Sequence, residues 1–303
     1  MKTRRSKFLI TGILALLLVA SVALLGGCDG SNNTDNSDSN SSTAQTSSGN
    51  GASSGNNATS TGTSSTKLTI GAAQVPHAEI LEFIKPTLAK QGIEIEIVVP
   101  TDEGTLNQLT ENGELDVNYF QHVPYLNAVV SERGFDLVSI GGIHLEPIGA
   151  YSDKFTKLED ITDNATVAIT NDGTNEYRAL KILEEAGFIK LKDDTNPATV
   201  TKSDIETYFK PLNIVELEAG LIVRTHDEYD LYISNTNRII EGGLDANKFI
   251  FREAADSPYA NVLVVKRDRA SDTSIKALYD ALRTTEVKDF IEQKYKGAVV
   301  AAF

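Results

Sequence analysis

Arg178 is the side chain whose type and surroundings are best suited to binding an acidic ligand. The β-branched run at 167–170 predicts a buried strand, and a polar turn separates it from a predicted helix over 175–186. Arg178 falls in the first turn of that helix, where the helix dipole disfavours a cation, so its charge indicates an anionic partner. A planar guanidinium suits a carboxylate, which it can hold with two parallel hydrogen bonds.

The polar turn before this helix adds further ligand-binding groups. Its possible N-cap residues are Asn171, Asp172, Thr174 and Asn175. Unpaired helix N–H groups are therefore expected to face the space beyond the strand. A competing interpretation pairs Arg178 with Asp172 or Glu176 on a solvated face, and spacing alone does not choose between the two.

A second polar group follows a predicted strand at 115–119, where Phe120, Gln121 and His122 precede a helix that begins at about Pro124. With Tyr125, these side chains combine aromatic surface with one imidazole and one amide, a combination suited to a small amphiphilic ligand. The competing interpretation is that the aromatic residues belong to the core and that His122 caps the helix.

Two asparagines occupy comparable positions later in the chain. Asn235 follows the predicted strand at 231–234, and Asn261 begins the predicted strand at 261–266. An asparagine side chain can both donate to and accept from a ligand. Ordinary turn chemistry for Asn235 and backbone hydrogen bonding for Asn261 would explain the same residues without a ligand.

The sequence contains no recognisable catalytic motif. Its four histidines lack metal-ligand spacing, and it has no nucleophile elbow, P-loop or dinucleotide-binding turn. We therefore expect a protein that is not an enzyme and that has neither a metal nor a cofactor.

The elements that position these residues alternate between strand and helix from about residue 67 onward. This pattern predicts an α/β protein built on parallel sheet with helices on both faces. The segment at 202–209 is interpreted as a short helix. Two α/β blocks predict two lobes facing a cleft, and ligands of such sheets bind beyond the carboxyl ends of the strands.

The N-terminal region has the features of an exported lipoprotein. Residues 1–27 combine a basic start with an apolar run, and Leu25-Gly26-Gly27-Cys28 resembles a bacterial lipobox. Cys28 is the only cysteine, so we expect it to be acylated after cleavage. Residues 28–66 form a polar tether, which would hold the folded part outside the cytoplasm at the cell membrane. The long apolar run would also suit an uncleaved membrane anchor.

The composition also limits the possible partners. The chain has 28 basic and 42 acidic residues and a formal net charge of −14. This balance argues against nucleic acid and against binding to anionic lipid through basic patches. We expect a small-molecule ligand and a monomer.

Several motifs together resemble the NlpA family, the methionine-binding lipoproteins of bacterial ABC importers. The matching residues, in order, are Asn118, Phe120-Gln121-His122-x-Pro124-Tyr125-Leu126, Asn171-Asp172-x-Thr174-Asn175-x-x-Arg178-Ala179-Leu180, Ile214-Val215-Glu216-Leu217-Glu218-Ala219, Asn235 and Asp256-Ser257-Pro258-Tyr259-x-Asn261.

This resemblance implies a two-lobed type-2 periplasmic-binding-protein fold that delivers an amino acid, most simply methionine, to an ABC permease. It assigns 67–148 with 259–303 to lobe 1 and 149–258 to lobe 2. By the resemblance, Arg178 holds the ligand carboxylate and Asn235 and Asn261 bind its other backbone groups. Residues expected to line the pocket are His122, Tyr125, Phe120, Gln121, Asn175 and Glu103.

Two residues depart from the family pattern. Glu103 replaces a usual aromatic residue, and Arg238 replaces a small or aromatic residue after Asn235. These charges leave open a polar amino acid or a short peptide as the ligand. The sequence is also compatible with a surface adhesin or signalling lipoprotein that has a vestigial pocket, and with an enzyme on the same scaffold.

Overall fold

The computed structural model describes residues 65–254 and 257–303. The leader, Cys28 and almost all of the tether therefore lie outside the described residues. The first strand begins at Thr66, the last residue of the predicted tether. Within the described part of the chain, no helix is long and apolar enough to cross a membrane.

A six-stranded sheet combines the first part of the fold with its C-terminal part. Its strands are β1 (Thr66–Ala72), β2 (Ile93–Val98), β3 (Val117–His122), β4 (Leu137–Leu145), β12 (Asn261–Lys266) and β13 (Val300–Ala301). Their order is β13-β4-β12-β3-β1-β2. Strand β12 runs antiparallel to both β3 and β4, so it completes this sheet after the chain has returned from the other one.

A five-stranded sheet lies in the other half of the fold. Its strands are β5 (Gly149–Tyr151), β6 (Ala165–Thr170), β9 (Leu212–Leu217), β10 (Leu231–Ser234) and β11 (Phe251–Arg252), in the order β11-β5-β10-β6-β9. Strands β7 (Ile189–Leu191) and β8 (Ile205–Tyr208) form a separate antiparallel pair. The sequence pattern predicted parallel sheet, and both sheets do contain parallel pairs, but β5 and β12 pair antiparallel with their neighbours.

Helices cover these sheets and bury their apolar faces. They are α1 (Glu79–Lys90), α2 (Leu106–Asn112), α3 (Val123–Arg133), α4 (Gly173–Glu185), α5 (Ala219–Arg224), α6 (Thr236–Glu241), α7 (Thr273–Leu282) and α8 (Thr285–Tyr295). The helix predicted at 202–209 was wrong. Only Lys202–Asp204 makes a helical turn, and β8 follows because its residues alternate in burial and pair with β7.

Two connections between the sheets pass side by side. The first runs from the end of β4 to the start of β5, and the second runs from β11 to β12. The backbone N–H of Glu253, in the second connection, donates to the carbonyl oxygen of Ile148 in the first at 2.9 Å. This bond places the two connections next to each other, immediately beside the start of the five-stranded sheet.

Candidate functional site

A cleft of about 560 Å³ is lined by residues that follow strands of both sheets. All of the ligand-binding residues predicted from the sequence line it: Glu103, Phe120, Gln121, His122, Tyr125, Asn175, Arg178, Asn235 and Asn261. The strand-end rule explains this meeting, because β3, β6 and β10 all end at the cleft.

Helix α4 places Arg178 in the cleft. Asp172 caps the helix by accepting a hydrogen bond from the backbone N–H of Asn175 at 3.3 Å. Gly173 begins the helix where the carbonyl oxygen of Ala198 leaves no room for a Cβ atom. Arg178 then lies one helical turn inside, with only 2% of its surface exposed. The interpretation of Arg178 as part of a solvated face was therefore wrong.

Arg178 is held by four hydrogen bonds. Its Nε and Nη2 donate to the two carboxylate oxygens of Glu253 at 3.2 and 2.6 Å. Nη2 also donates to the backbone oxygen of Glu146 at 2.8 Å, and Nη1 donates to Oδ1 of Asn175 at 3.0 Å. Glu253 thus occupies the edge of the guanidinium formed by Nε and Nη2. The remaining nitrogen, Nη1, points to Asn175 inside the cleft.

Three donors meet at Oδ1 of Asn175. Besides Nη1 of Arg178, they are Nδ2 of Asn235 at 3.0 Å and Nε2 of His122 at 3.2 Å. The backbone N–H of Tyr125 donates to Nδ1 of His122 at 3.2 Å, which places the imidazole proton on Nε2. We call Arg178, Asn235, His122 and Asn175 the polar centre of the cleft.

His122 carries no charge in this setting. Burial, followed by the nearby Arg178 cation, lowers the pKa of His122 to about 3. The ring of Tyr259 packs edge-on against His122 with centroids 5.0 Å apart, and the guanidinium of Arg178 lies 4.5 Å from its centroid. Tyr259 therefore shields one side of the polar centre from water, which strengthens electrostatic interactions there.

Aromatic side chains from β3 and α3 form another part of the cleft lining. The rings of Phe120 and Tyr125 pack edge to face with centroids 6.0 Å apart. Gln121 also lines the cleft, but its amide is bonded to the buried side chains of Asn107 and Asn118. Those bonds fix the end of β3 and leave the aromatic residues as the apolar surface for a ligand.

Glu103 and Arg238 face each other across the cleft. Glu103 begins a helical turn after β2, whereas Arg238 belongs to α6 of the other half. Their side chains form two hydrogen bonds, of 2.8 and 3.2 Å, and Arg238 also bonds Glu241 at 2.9 Å. Burial raises the pKa of the Glu103 carboxyl to about 7, even though the Arg238 cation opposes that rise.

A buried network lies beside the cleft at Asn261. Its Oδ1 accepts from Nε2 of His77 at 3.0 Å, while Nε2 of His144 bonds Oε1 of Glu146 at 2.8 Å. Burial lowers the pKa of His77 to about 4 and that of His144 to about 3, so both imidazoles are neutral. These interactions leave the Nδ2 group of Asn261 without a partner among the described residues, available to a ligand.

His77, His144 and Glu146 also form the one group of possible metal ligands found in the described part of the chain, with donor atoms within 4.8 Å of one another. The hydrogen bonds just described engage all three of those donor atoms. The hydroxyl of Tyr119 bonds the second nitrogen of His144. The arrangement is therefore a network of protein hydrogen bonds in which Nδ1 of His77 is a buried atom without a partner among the described residues.

Sequence reasoning missed Glu253, Glu146 and Tyr259 as parts of the site. Glu253 lies 75 residues from Arg178, and no local pattern connects the two. The sequence pattern places Tyr259 only in the loop before Asn261. Glu146 had a usable signal, because it is an acidic residue directly after the end of β4 and it lines the cleft.

The whole folded part matches a known protein family. The sequence profile described as NlpA lipoprotein matches residues 68–303. Membrane lipoprotein TpN32 of Treponema pallidum (strain Nichols) is 37% identical over 233 residues, which are 77% of this chain and 87% of the relative. Methionine-binding lipoprotein MetQ of Bacillus subtilis (strain 168) is 34% identical over 239 residues, with 77% and 87% covered.

A solved structure supports the same assignment. A nutrient-binding protein from Burkholderia cenocepacia bound to methionine is 35% identical, with a TM-score of 0.75 that covers 78% of this chain and 100% of the other. The two α/β halves described above are accordingly the two lobes of a substrate-binding fold. By profile, sequence identity and fold, this chain belongs to the NlpA lipoprotein family.

Proposed function

We propose that this chain is the lipid-anchored substrate-binding protein of an ABC importer and that it captures a free amino acid between its lobes. The observation that carries the proposal is the polar centre, where the buried Arg178 directs Nη1 at a point also reached by Asn235 and His122. A single cation flanked by neutral donors suits the carboxylate of a zwitterion. Charge-assisted bonds of this kind contribute roughly 1.5–3 kcal/mol each.

Methionine is the amino acid that the relatives favour. The relative in Bacillus subtilis is named as methionine-binding, and the similar structure from Burkholderia cenocepacia contains methionine. In this chain the aromatic pair Phe120 and Tyr125 lines the same cleft as Arg178. Contacts between a thioether sulfur and aromatic rings add about 0.3–1.5 kcal/mol.

A more polar amino acid or a short peptide is the second candidate. Glu103 and Arg238 place two charges in the cleft lining, whereas a thioether side chain requires an apolar lining. An apolar ligand side chain displaces water from such charged groups and offers no hydrogen bond in return, which costs binding free energy. The residues proposed to bind the carboxylate and the other backbone groups of the ligand are the same for both candidates. The candidates therefore differ only in the ligand side chain that the cleft accepts.

Attachment to the membrane belongs to the same proposal. Cys28 would carry the lipid, and residues 28–66 would tether a monomeric folded part outside the cytoplasm within reach of a permease. The lobes would comprise 67–148 with 259–303 and 149–258, and they would close over the ligand. Capture and delivery require no bond to be made or broken, consistent with a protein that is not an enzyme.

Calorimetry tests this function directly. The folded part, titrated with methionine, the other amino acids and dipeptides, is expected to bind at least one of them stoichiometrically at micromolar or tighter affinity. A rise in Tm should accompany binding, because only the folded state binds. Mass spectrometry of the molecule that co-purifies identifies the natural ligand. Absence of binding to every member of the panel would contradict the proposal.

A further inference from the structure

We propose that Oδ1 of Asn175 occupies the position of a ligand carboxylate oxygen, so that the ligand displaces the Asn175 side chain from the polar centre. This inference rests on the proposed function and concerns the same site. It assigns Asn175 the role of an internal stand-in for the ligand, whereas the family resemblance implied only a residue that lines the pocket.

The hydrogen-bond count is the first argument. An amide oxygen has two lone pairs, whereas Oδ1 of Asn175 receives donors from Arg178, Asn235 and His122 at 3.0–3.2 Å. A carboxylate offers about four acceptor sites on two oxygens. The three donors come from three different elements and meet at one point. Their number therefore matches a carboxylate better than the side-chain amide of Asn175.

Charge is the second argument. Nη1 of Arg178 donates to a neutral amide, although hydrogen bonds from a guanidinium to an anion are shorter and stronger. Glu253 holds the other edge of the guanidinium and fixes its orientation. A ligand carboxylate can thus replace the Asn175 amide at Nη1 without disturbing the pair that positions Arg178.

Asn175 is also able to leave. It is half-buried, and apart from the polar centre its side chain bonds only Oδ2 of Asp172, at 2.5 Å, among the described residues. The helix cap does not depend on that side chain, because Oδ1 of Asp172 accepts from the backbone N–H of Asn175 and from the hydroxyl of Thr174. The helix that carries Arg178 therefore stays in place when the amide turns away.

Two substitutions separate a stand-in from a ligand contact. Asn175→Ala removes the competitor, so the affinity for the amino acid found by calorimetry is expected to equal or exceed that of the wild type, up to about tenfold. Asn175→Asp places a tethered carboxylate on the same three donors and should weaken binding at least about 100-fold. Asn127→Asp adds the same charge at an exposed position of α3 as a control.

The structure of unliganded Asn175→Asp supplies a readout that does not depend on ligand. We expect a carboxylate oxygen within hydrogen-bond distance of Arg178, Asn235 and His122, although Asp172 lies close by and repels it. If the new carboxylate turns away from these donors, the inference is wrong.

The affinities decide the remaining cases. Tight wild-type binding combined with a tenfold or larger loss in a folded Asn175→Ala variant would make Asn175 a direct ligand contact and would overturn this inference alone. A wild-type protein that binds no amino acid would overturn the proposed function and the inference with it.

Discussion

Nη2 of Arg238 lies 2.8 Å from Oε2 of Glu103, and this ion pair joins the two lobes across the cleft. The attraction to Arg238 is not the largest influence on the pKa of the Glu103 carboxyl. Burial of Glu103 outweighs the nearby cation and raises its pKa to about 7. Desolvation of a buried ion pair often exceeds the Coulombic gain. In this structure the ionised form of Glu103 is therefore less stable, relative to its protonated form, than it would be in water, even though the pair bridges the lobes.

The first prediction concerns pH. The pKa of the Glu103 carboxyl is about 7 in this structure, where Arg238 of the other lobe contacts it. We expect this pKa to return toward its ordinary value of 4.5 when the lobes separate and expose Glu103 to water, so that closure takes up a proton. Closure is then favoured below the higher pKa and opposed above it, so ligand affinity should rise about tenfold from pH 8 to pH 6. Calorimetry at several pH values measures this rise.

Glu103→Gln is the control for that prediction, because it cannot titrate. The other charged groups around Glu103 are Arg238, Glu241 and Glu146. Burial also raises the pKa values of Glu241 and Glu146, so any residual dependence in Glu103→Gln reports on them. His122, with a pKa of about 3, stays neutral throughout this range. An unchanged pH profile in Glu103→Gln would remove Glu103 as the cause.

The second prediction is that Arg238→Ala weakens ligand binding more than Glu103→Gln does. Removal of the cation leaves the largely buried Glu103 carboxylate beside Glu241 with no positive partner. An unpaired buried charge costs more free energy than the removal of both charges of the pair. Because Arg238 is 27% exposed, solvent screening limits the expected loss to about 1–2 kcal/mol, or roughly fivefold to thirtyfold. The double variant should recover most of that loss, as a double-mutant cycle will show.

The third prediction separates binding from stability at Arg178. Arg178→Ala should abolish amino-acid binding and also lower the free energy of unfolding by about 3 kcal/mol, because the Glu253 carboxylate, only 13% exposed, is left without its cation. Adding Glu253→Gln should restore stability but not binding. Denaturant unfolding and calorimetry on both variants measure the two effects. Near-wild-type affinity in Arg178→Ala would show that the carboxylate binds elsewhere.

The fourth prediction concerns specificity. Glu103→Tyr returns an aromatic ring to the cleft wall and removes a charge that is 13% exposed. If the ion pair disfavours a thioether, methionine affinity should rise several-fold, while affinity for polar amino acids should fall. Glu103→Gln is the matched control, since it removes the charge without adding a ring. Equal methionine affinity in the wild type, Glu103→Tyr and Glu103→Gln would show that Glu103 does not determine specificity.

The sequence predicted that residues at strand ends would come together, and in the structure they line one cleft. Asn235 follows a buried strand and His122 is the last residue of another, and the strand-end rule predicts that both face one cleft even when the strand pairing is unknown. The partner of Arg178 was not predictable in this way. Glu253 comes from the connection between β11 and β12, whose path depends on how both sheets close.

Sheet direction and short elements were harder to predict from the sequence for a similar reason. An isolated β-branched run such as β12 gives no sign of whether its neighbours run parallel or antiparallel to it. The pattern of Ile205–Tyr208 suits either a short helix or a strand, and only pairing with Ile189–Leu191 decides in favour of the strand. Tertiary contacts outweigh local preference in such short segments.

The two connections between the lobes have a consequence for how occupancy is sensed. Through a single side chain, Arg178 grips the backbone of Glu146 in one connection and the carboxylate of Glu253 in the other. A ligand that binds this guanidinium therefore contacts, through one side chain, both of the chain segments that join the lobes.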